Sequence, residues 1–209
     1  MTETAERPAP TRRPPRSEVR ADVLAAATRS FLTRGYRRTS LNELAAEAGY
    51  SKGAVYSNFG GKPELFAAVV AARASDFADR ALAQFDAVLT EGEPSGSTDV
   101  VAARLAGSLT TDDQWPVLLE EFRALAAEDP QLRAVYTQWR TAQRDQLAAQ
   151  IAARRAALGR PDAVDTQAAA TLLMLLVNTL ALERRAAPDA LPASLVSSTL
   201  ELALRSIVR

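Results

Sequence analysis

Residues 40–62 read SLNELAAEAGYSKGAVYSNFGGK, and the reading of this stretch decides the fold of the amino-terminal region. Ser40 and Glu43 stand at capping-box spacing: the serine hydroxyl can accept the Glu43 amide while the Glu43 carboxylate reaches back. The helix so opened is short and stops at Gly49, where a sharp turn calls for positive φ. Ser51 caps a second short helix that runs to about Phe59, and Gly60-Gly61 breaks it. Helices of this length are barely stable alone, so packing must hold them. Leu41, Leu44, Ala45, Val55 and Phe59 supply one apolar face, which Leu24 and Phe31 of a preceding helix complete. Ala45 is small where the two helices should cross most closely. Two short helices about a glycine turn form a helix-turn-helix, whose second helix is free to enter a major groove.

The exposed face of that second helix is predicted to be Ser51, Lys52, Gly53, Ala54, Ser57 and Asn58. Lys52 can donate to guanine acceptors, the Ala54 methyl can meet a thymine methyl, and Gly53 lets the backbone approach closely. Free amides at the helix start, the hydroxyls and Lys62 suit phosphate oxygens. A solvated corner of an unrelated helical fold has the same composition, and spacing alone does not separate the two.

Working outward, residues 1–16 hold Pro8, Pro10, Pro14 and Pro15 among Arg7, Arg12, Arg13 and Arg16, the composition of a disordered arm. Such an arm either reaches a minor groove or acts as a solvated tail that raises non-specific affinity. Ser17 is the expected cap of the first helix, with Val23, Leu24, Ala27 and Phe31 at helical spacing until Gly35. Beyond Pro63, helical patterns are predicted over 63–89, 98–109, 113–127, 130–158, 163–186 and 190–208. The EGEPSGS run at 91–97, Asp112-Asp113, Asp129-Pro130, Gly159 to Pro161 and Pro188-Asp189 mark the breaks. The expected class is all-α with about nine helices. Residues 17–62 are expected to form a three-helix amino-terminal unit and 63–209 a larger helical carboxy-terminal one.

Composition narrows the functions. The chain has no Cys and no His, which removes the usual ligands of zinc, haem and iron–sulfur centres and the usual nucleophile–base pairs. No metal, cofactor or enzymatic activity is expected. Gly61-Lys62 lacks the remaining elements of a phosphate-binding loop. Net charge is zero, but residues 1–62 carry 11 Lys/Arg against 6 Asp/Glu, a basic front on an acidic body. No signal peptide is visible, and the apolar stretch 168–182 is short and contains Asn178, so the expected location is cytoplasmic with no membrane partner.

From Phe31 to Leu65 the chain resembles the TetR DNA-binding domain. The shared pattern is Phe31, Gly35-Tyr36, Thr39-Ser40, Leu44-Ala45, Ala48-Gly49, Ser51-x-Gly53-x-Val55-Tyr56, Phe59, Lys62 and Leu65, in order and without gaps. The resemblance implies that Tyr56 and Lys62 contact phosphates and that Lys52, Gly53 and Ala54 read bases. It places Thr39, Ser40 and Asn42 on the opposite backbone. Asn58 stands where the family often has histidine, which leaves its phosphate contact in doubt. Gly61 stands where Ser or Asn commonly caps the next helix.

For the rest of the chain the resemblance implies a homodimer on double-stranded palindromic operator DNA, released by a small-molecule effector. The last two helices are nearly all-round apolar, and Leu172, Leu176, Leu180, Val196, Leu200 and Leu204 are the expected subunit interface. Phe85, Trp115, Leu118, Phe122, Tyr136, Trp139, Met174 and Asn178 are the candidate pocket lining. Few charges interrupt them, so a largely apolar or aromatic ligand is expected, with Arg123, Arg140 or Asn178 as a polar anchor. Aromatics at this spacing fit an ordinary core equally well. The fourth helix, 63–89, is expected to carry the coupling.

Overall fold

A computed structural model of the protein describes residues 14–90, 98–109, 114–157, 159 and 164–208; for 77–90 and for Val208 only the backbone is described. The described residues form α1 (Arg16–Arg38), α2 (Leu41–Glu47), α3 (Lys52–Phe59), α4 (Lys62–Thr90), α5 (Thr98–Ser108), α6 (Trp115–Glu128), α7 (Pro130–Ala157), α8 (Thr166–Ala186) and α9 (Ala193–Val208), with no strand among them. They fall into two compact units, one ending at Leu65 and the other starting at Phe66, so α4 contributes residues to both. The expected EGEPSGS loop and the Asp112-Asp113 and Arg160-Pro161 breaks lie outside the described residues.

In the amino-terminal unit α1, α2 and α3 pack pairwise. Val23, Ala26, Ala27, Phe31, Leu44, Val55 and Leu65 are all but fully buried, and Ala45 is buried at the centre of α2. Leu24, expected in this core, is only half-buried; its neighbour Val23 takes the inward position. The start of α1 also differs from expectation. Ser17 is exposed inside the first turn, and the cap is Pro15 with φ −57° and ψ 148°. Proline's fixed φ and missing donor suit a helix entrance, so no side-chain cap is needed there. Arg16, expected in the arm, is therefore the first helical residue. Gly35 adopts φ 75°, ψ 169° within α1, a conformation that glycine enters at no steric cost.

In the carboxy-terminal unit α5 packs on α9, and α6, α7, α8 and α9 pack in succession, with α6 also touching α8. Asp129 caps α7 as expected, accepting the Gln131 amide at 2.8 Å. The cap of α8 was not foreseen: Asp165 accepts the Gln167 and Ala168 amides, so the helix starts at Thr166 rather than 163. Likewise α9 begins at Ala193, because Pro188 to Pro192 turn before it.

The burial of α8 and α9 corrects half of the expected interface. Leu180, Val196 and Leu200 are buried within the chain, the last two at 0% exposure, because one side of each helix is needed for the core of this unit. Leu176 and Leu204 are half-buried. Leu172 is 46% exposed, and Leu175 at 50%, Leu195 at 48% and Leu202 at 72% are also exposed. By length and composition alone the full helix α8 is long and apolar enough to cross a membrane, a test that core helices of bundles also pass. It packs against α6, α7 and α9, the contact pattern of a bundle helix with one face left over.

Candidate nucleic-acid interface

The interface is built on α3, a helix too short to stand alone. Ser51 caps it by accepting the Ala54 amide at 3.2 Å, and Val55 and Phe59 anchor it in the core at 0% and 9% exposure. Ser40 caps α2 in the same way, accepting the Glu43 amide at 3.2 Å. Between the two, Gly49 turns the chain at φ 79°, where any side chain would be strained. With Val55 and Phe59 inward, Ser51, Lys52, Gly53, Tyr56 and Ser57 are turned to solvent, and Ala54 and Asn58 are half-buried at the edge of that face. Ser40 and Asn42 are also exposed.

Four arrangements hold this face in place that sequence reasoning did not find. Arg16 donates from Nη2 to the Ser57 carbonyl at 2.9 Å and from Nε to Asn58 Oδ1 at 3.3 Å. Arg20 donates to the Asn58 carbonyl at 2.8 Å while its guanidinium lies 4.4 Å from the Phe59 ring centroid. These carbonyls belong to the last turn of α3, where no further helical amide follows and cations are favoured. One helical turn separates the two arginines on α1, which was a legible spacing but had no partner in the sequence. The third arrangement is Tyr50, whose hydroxyl donates to Asp22 at 2.7 Å. That hydrogen bond pushes the phenol up to about 12, with burial and the Asp22 and Glu18 charges adding to it. In the fourth, Glu47 accepts from Ser30 and Arg34, each at 2.7 Å, tying α2 to α1. The Ser30 bond first, then Arg34, holds the Glu47 carboxyl below its ordinary value.

Two of the expected contact residues change role. Thr39 is 1% exposed, and its hydroxyl donates to the Gly35 carbonyl at 2.9 Å. It closes the end of α1 and has no surface to offer a phosphate. Asn58 is occupied on both ends of its amide, donating to the Ala54 carbonyl at 2.8 Å and accepting from Arg16. It positions α3. Ser57 donates to the Ala54 carbonyl as well, at 3.0 Å. Tyr56 stays 47% exposed with Lys52 Nζ 5.8 Å from its ring centroid, and Lys62 Nζ lies 4.2 Å from that of Tyr36. A Cβ at Gly61 would come within 2.8 Å of Glu64 Oε2, the end of a flexible side chain that can move aside, so the glycine in place of a serine cap has no structural explanation.

Of the candidate pocket residues, Trp115, Leu118, Phe122 and Asn178 are buried, and Tyr136, Trp139 and Met174 are half-buried. The Phe85 side chain lies outside the described residues. Phe122 is the hub of an aromatic cluster, with ring centroids 5.2 Å from Phe66, 5.1 Å from Tyr136 and 6.1 Å from Trp139.

Comparison with known proteins follows the same division. Residues 23–69 match the model of the bacterial regulatory proteins, tetR family. The activator FasR of Mycolicibacterium smegmatis is 43% identical over 56 residues, which are 27% of this chain and 26% of that protein. The chain thus aligns with about a quarter of the length of this curated relative. Solved structures cover the whole fold. A Rhodococcus sp. protein assigned to the TetR-family transcriptional regulators superposes with a TM-score of 0.65 at 24% identity, over 92% of this chain and 100% of the other. The multidrug binding protein EbrR, complexed with imidazole, does so with a TM-score of 0.62 at 24% identity, over 91% and 96%.

Proposed function

From its membership of the TetR family, carried by the helix-turn-helix of residues 23–69, we propose that this chain is a repressor that binds a palindromic operator as a homodimer and leaves it when a small, largely apolar molecule binds the carboxy-terminal unit. The observation that carries the reading is α3: its core side is fixed by Val55 and Phe59, while Lys52, Gly53, Ala54 and Tyr56 remain available to a groove. In that docking Lys52, Gly53 and Ala54 meet base edges, and Tyr56, Lys62, Ser40, Asn42, Ser51 and Ser57 meet the phosphate backbone. A regulator of this kind works where the chromosome is, in the cytoplasm.

The dimer reading is supported by the leftover apolar face of α8 and α9. Leu172, Leu175, Leu195 and Leu202 are all close to half exposed or more, with Leu176 and Leu204 partly so. Large apolar side chains left exposed on two helices that pack on each other are costly in water and, joined in one patch, would make an association surface. Two-fold pairing there presents α3 twice, which is what a palindrome requires. The effector reading is supported by the aromatic cluster around Phe122, and coupling by α4, which has residues in both units. Effector and DNA then weaken each other's binding by one and the same factor. Activation is the second reading, favoured by the likeness to FasR, itself an activator. Repression is preferred because a dimer seated on a promoter excludes polymerase with no further contact surface.

A footprint of the purified protein on the DNA upstream of its own gene tests the proposal. Two protected half-sites related by a dyad, about 34–36 Å or a multiple apart, are expected. Protection without a dyad, or none at low salt, would overturn it.

A further inference from the structure

Resting on that effector reading, we infer that the ligand class is a planar aromatic carboxylate, its ring laid against Tyr136 and Trp139 and its carboxylate held by Arg140. The case begins with Arg140. It is half-buried on α7 with its guanidinium carbon 5.7 Å from the Trp139 ring centroid, and no carboxylate stands within ion-pair distance of it among the described residues. The nearby Arg123 is already engaged by Glu120 one turn away on α6. Burial pulls the Arg140 guanidinium below its ordinary value; the Tyr136 interaction opposes this, and the Arg123 charge adds to it. A guanidinium nevertheless remains charged at neutral pH. A partly desolvated cation without a counter-ion is the arrangement an anion improves most.

The second observation concerns polarity. Trp139 Nε1 is buried with no acceptor, and an indole can only donate. A ligand rich in acceptor oxygens answers this; a cationic ligand would meet Arg140 and Arg123 as like charges. The third observation is shape. Tyr136 and Trp139 have centroids 6.0 Å apart and are tilted by 57° to one another, while Phe122 stacks on one face of Trp139 at 29°. A further ring can join such a cluster edge-on to one member and face-on to the other. A guanidinium offers two parallel donors in one plane, which a planar carboxylate accepts bidentately.

The test uses the full-length protein at pH 7, titrated with 1-naphthoate and its neutral isostere 1-naphthamide, and followed by intrinsic tryptophan fluorescence and calorimetry. Saturable binding of the naphthoate is expected, about tenfold or more tighter than the amide, as a charge-assisted bidentate contact implies. Arg140→Gln should erase that preference, and Arg140→Lys should keep part of it, with thermal midpoints near that of the parent. Equal affinity for acid and amide, a preference that survives in Arg140→Gln, or no saturable signal with the acid would overturn the assignment. Operator release is scored separately. Arg140-dependent naphthoate binding without release supports this site and overturns ligand-released repression. Release by some other molecule, with naphthoate silent, supports the repressor and overturns the assignment.

Discussion

Particular arginines of the two units differ in how far they are engaged. In the amino-terminal unit Arg16, Arg20 and Arg34 donate to carbonyls or a carboxylate of neighbouring helices, and those bonds fix α2 and α3 on α1. In the carboxy-terminal unit Arg140 lacks a counter-ion and Arg184 keeps a buried, unpartnered Nη1, both among the described residues. A surface that must match a duplex gains from being pre-organised, because ordering it on binding would subtract from affinity. A site that must respond to a ligand gains from leaving polar groups unsatisfied until the ligand arrives. The contrast is one of degree: Arg34 Nε and Glu64 Oε2 are also buried without a partner in the amino-terminal unit, and Arg133 and Arg155 donate to helix carbonyls in the other.

The largest effect is expected where closure is completed by the core. Phe59→Ala removes both the anchor of α3 and the ring under Arg20, and costs about 3–5 kcal/mol by analogy with other buried Phe→Ala changes. Urea unfolding should show a lowered midpoint for the amino-terminal unit, and operator binding should vanish. A small loss with binding intact would break the claim that α3 is held rather than self-supporting. Next in size is the double change Arg16→Gln, Arg20→Gln. We expect a loss of operator affinity of about tenfold, equivalent to roughly 1.4 kcal/mol, with the slope of log affinity on log salt little changed. Were these arginines phosphate contacts instead, the slope would fall by about 0.9 for each. Gel shifts over a salt series separate the two.

Much of the amino-terminal fold was legible before any coordinates, because caps and turns are local. Ser40 with Glu43, Ser51 with Ala54 and the positive φ of Gly49 involve residues within a few positions of one another. The clamps were not legible: Arg16 meets Ser57 across 41 positions, and Tyr50 meets Asp22 across 28. Thr39 read as a surface hydroxyl because nothing local says that the Gly35 carbonyl waits for it. In α8 and α9 the obstacle was different. Leucines on all sides give no phase, so sequence could not tell that Val196 and Leu200 face inward while Leu202 faces out.

A smaller change probes whether the reading face is shaped for DNA or for the fold. A Cβ added at Gly53 would meet only Ser51 Oγ at 3.7 Å, an ordinary contact, so the fold does not require glycine there. Gly53→Ala should therefore stabilise the amino-terminal unit by about 0.5–1 kcal/mol while weakening operator binding, since the methyl would intrude between α3 and the groove. If affinity rose together with stability, Gly53 would lie outside the contact.

The smallest effect concerns the closed network at Glu47, and its sign follows from the lowered carboxyl. A group whose folded value is depressed contributes stability above its unfolded value, here the ordinary 4.5, and loses it as pH falls through the folded value. Glu47 is exposed, so screening keeps the contribution modest. Urea midpoints from neutral pH down through the carboxylate range should fall less steeply in Glu47→Gln than in the parent, the two curves converging at the acid end. Since Ser30 and Arg34 both donate to this carboxylate, Ser30→Ala should flatten the same acid limb in part. If Glu47→Gln runs parallel to the parent at every pH, the Ser30–Glu47–Arg34 bonds do not contribute to closing the unit.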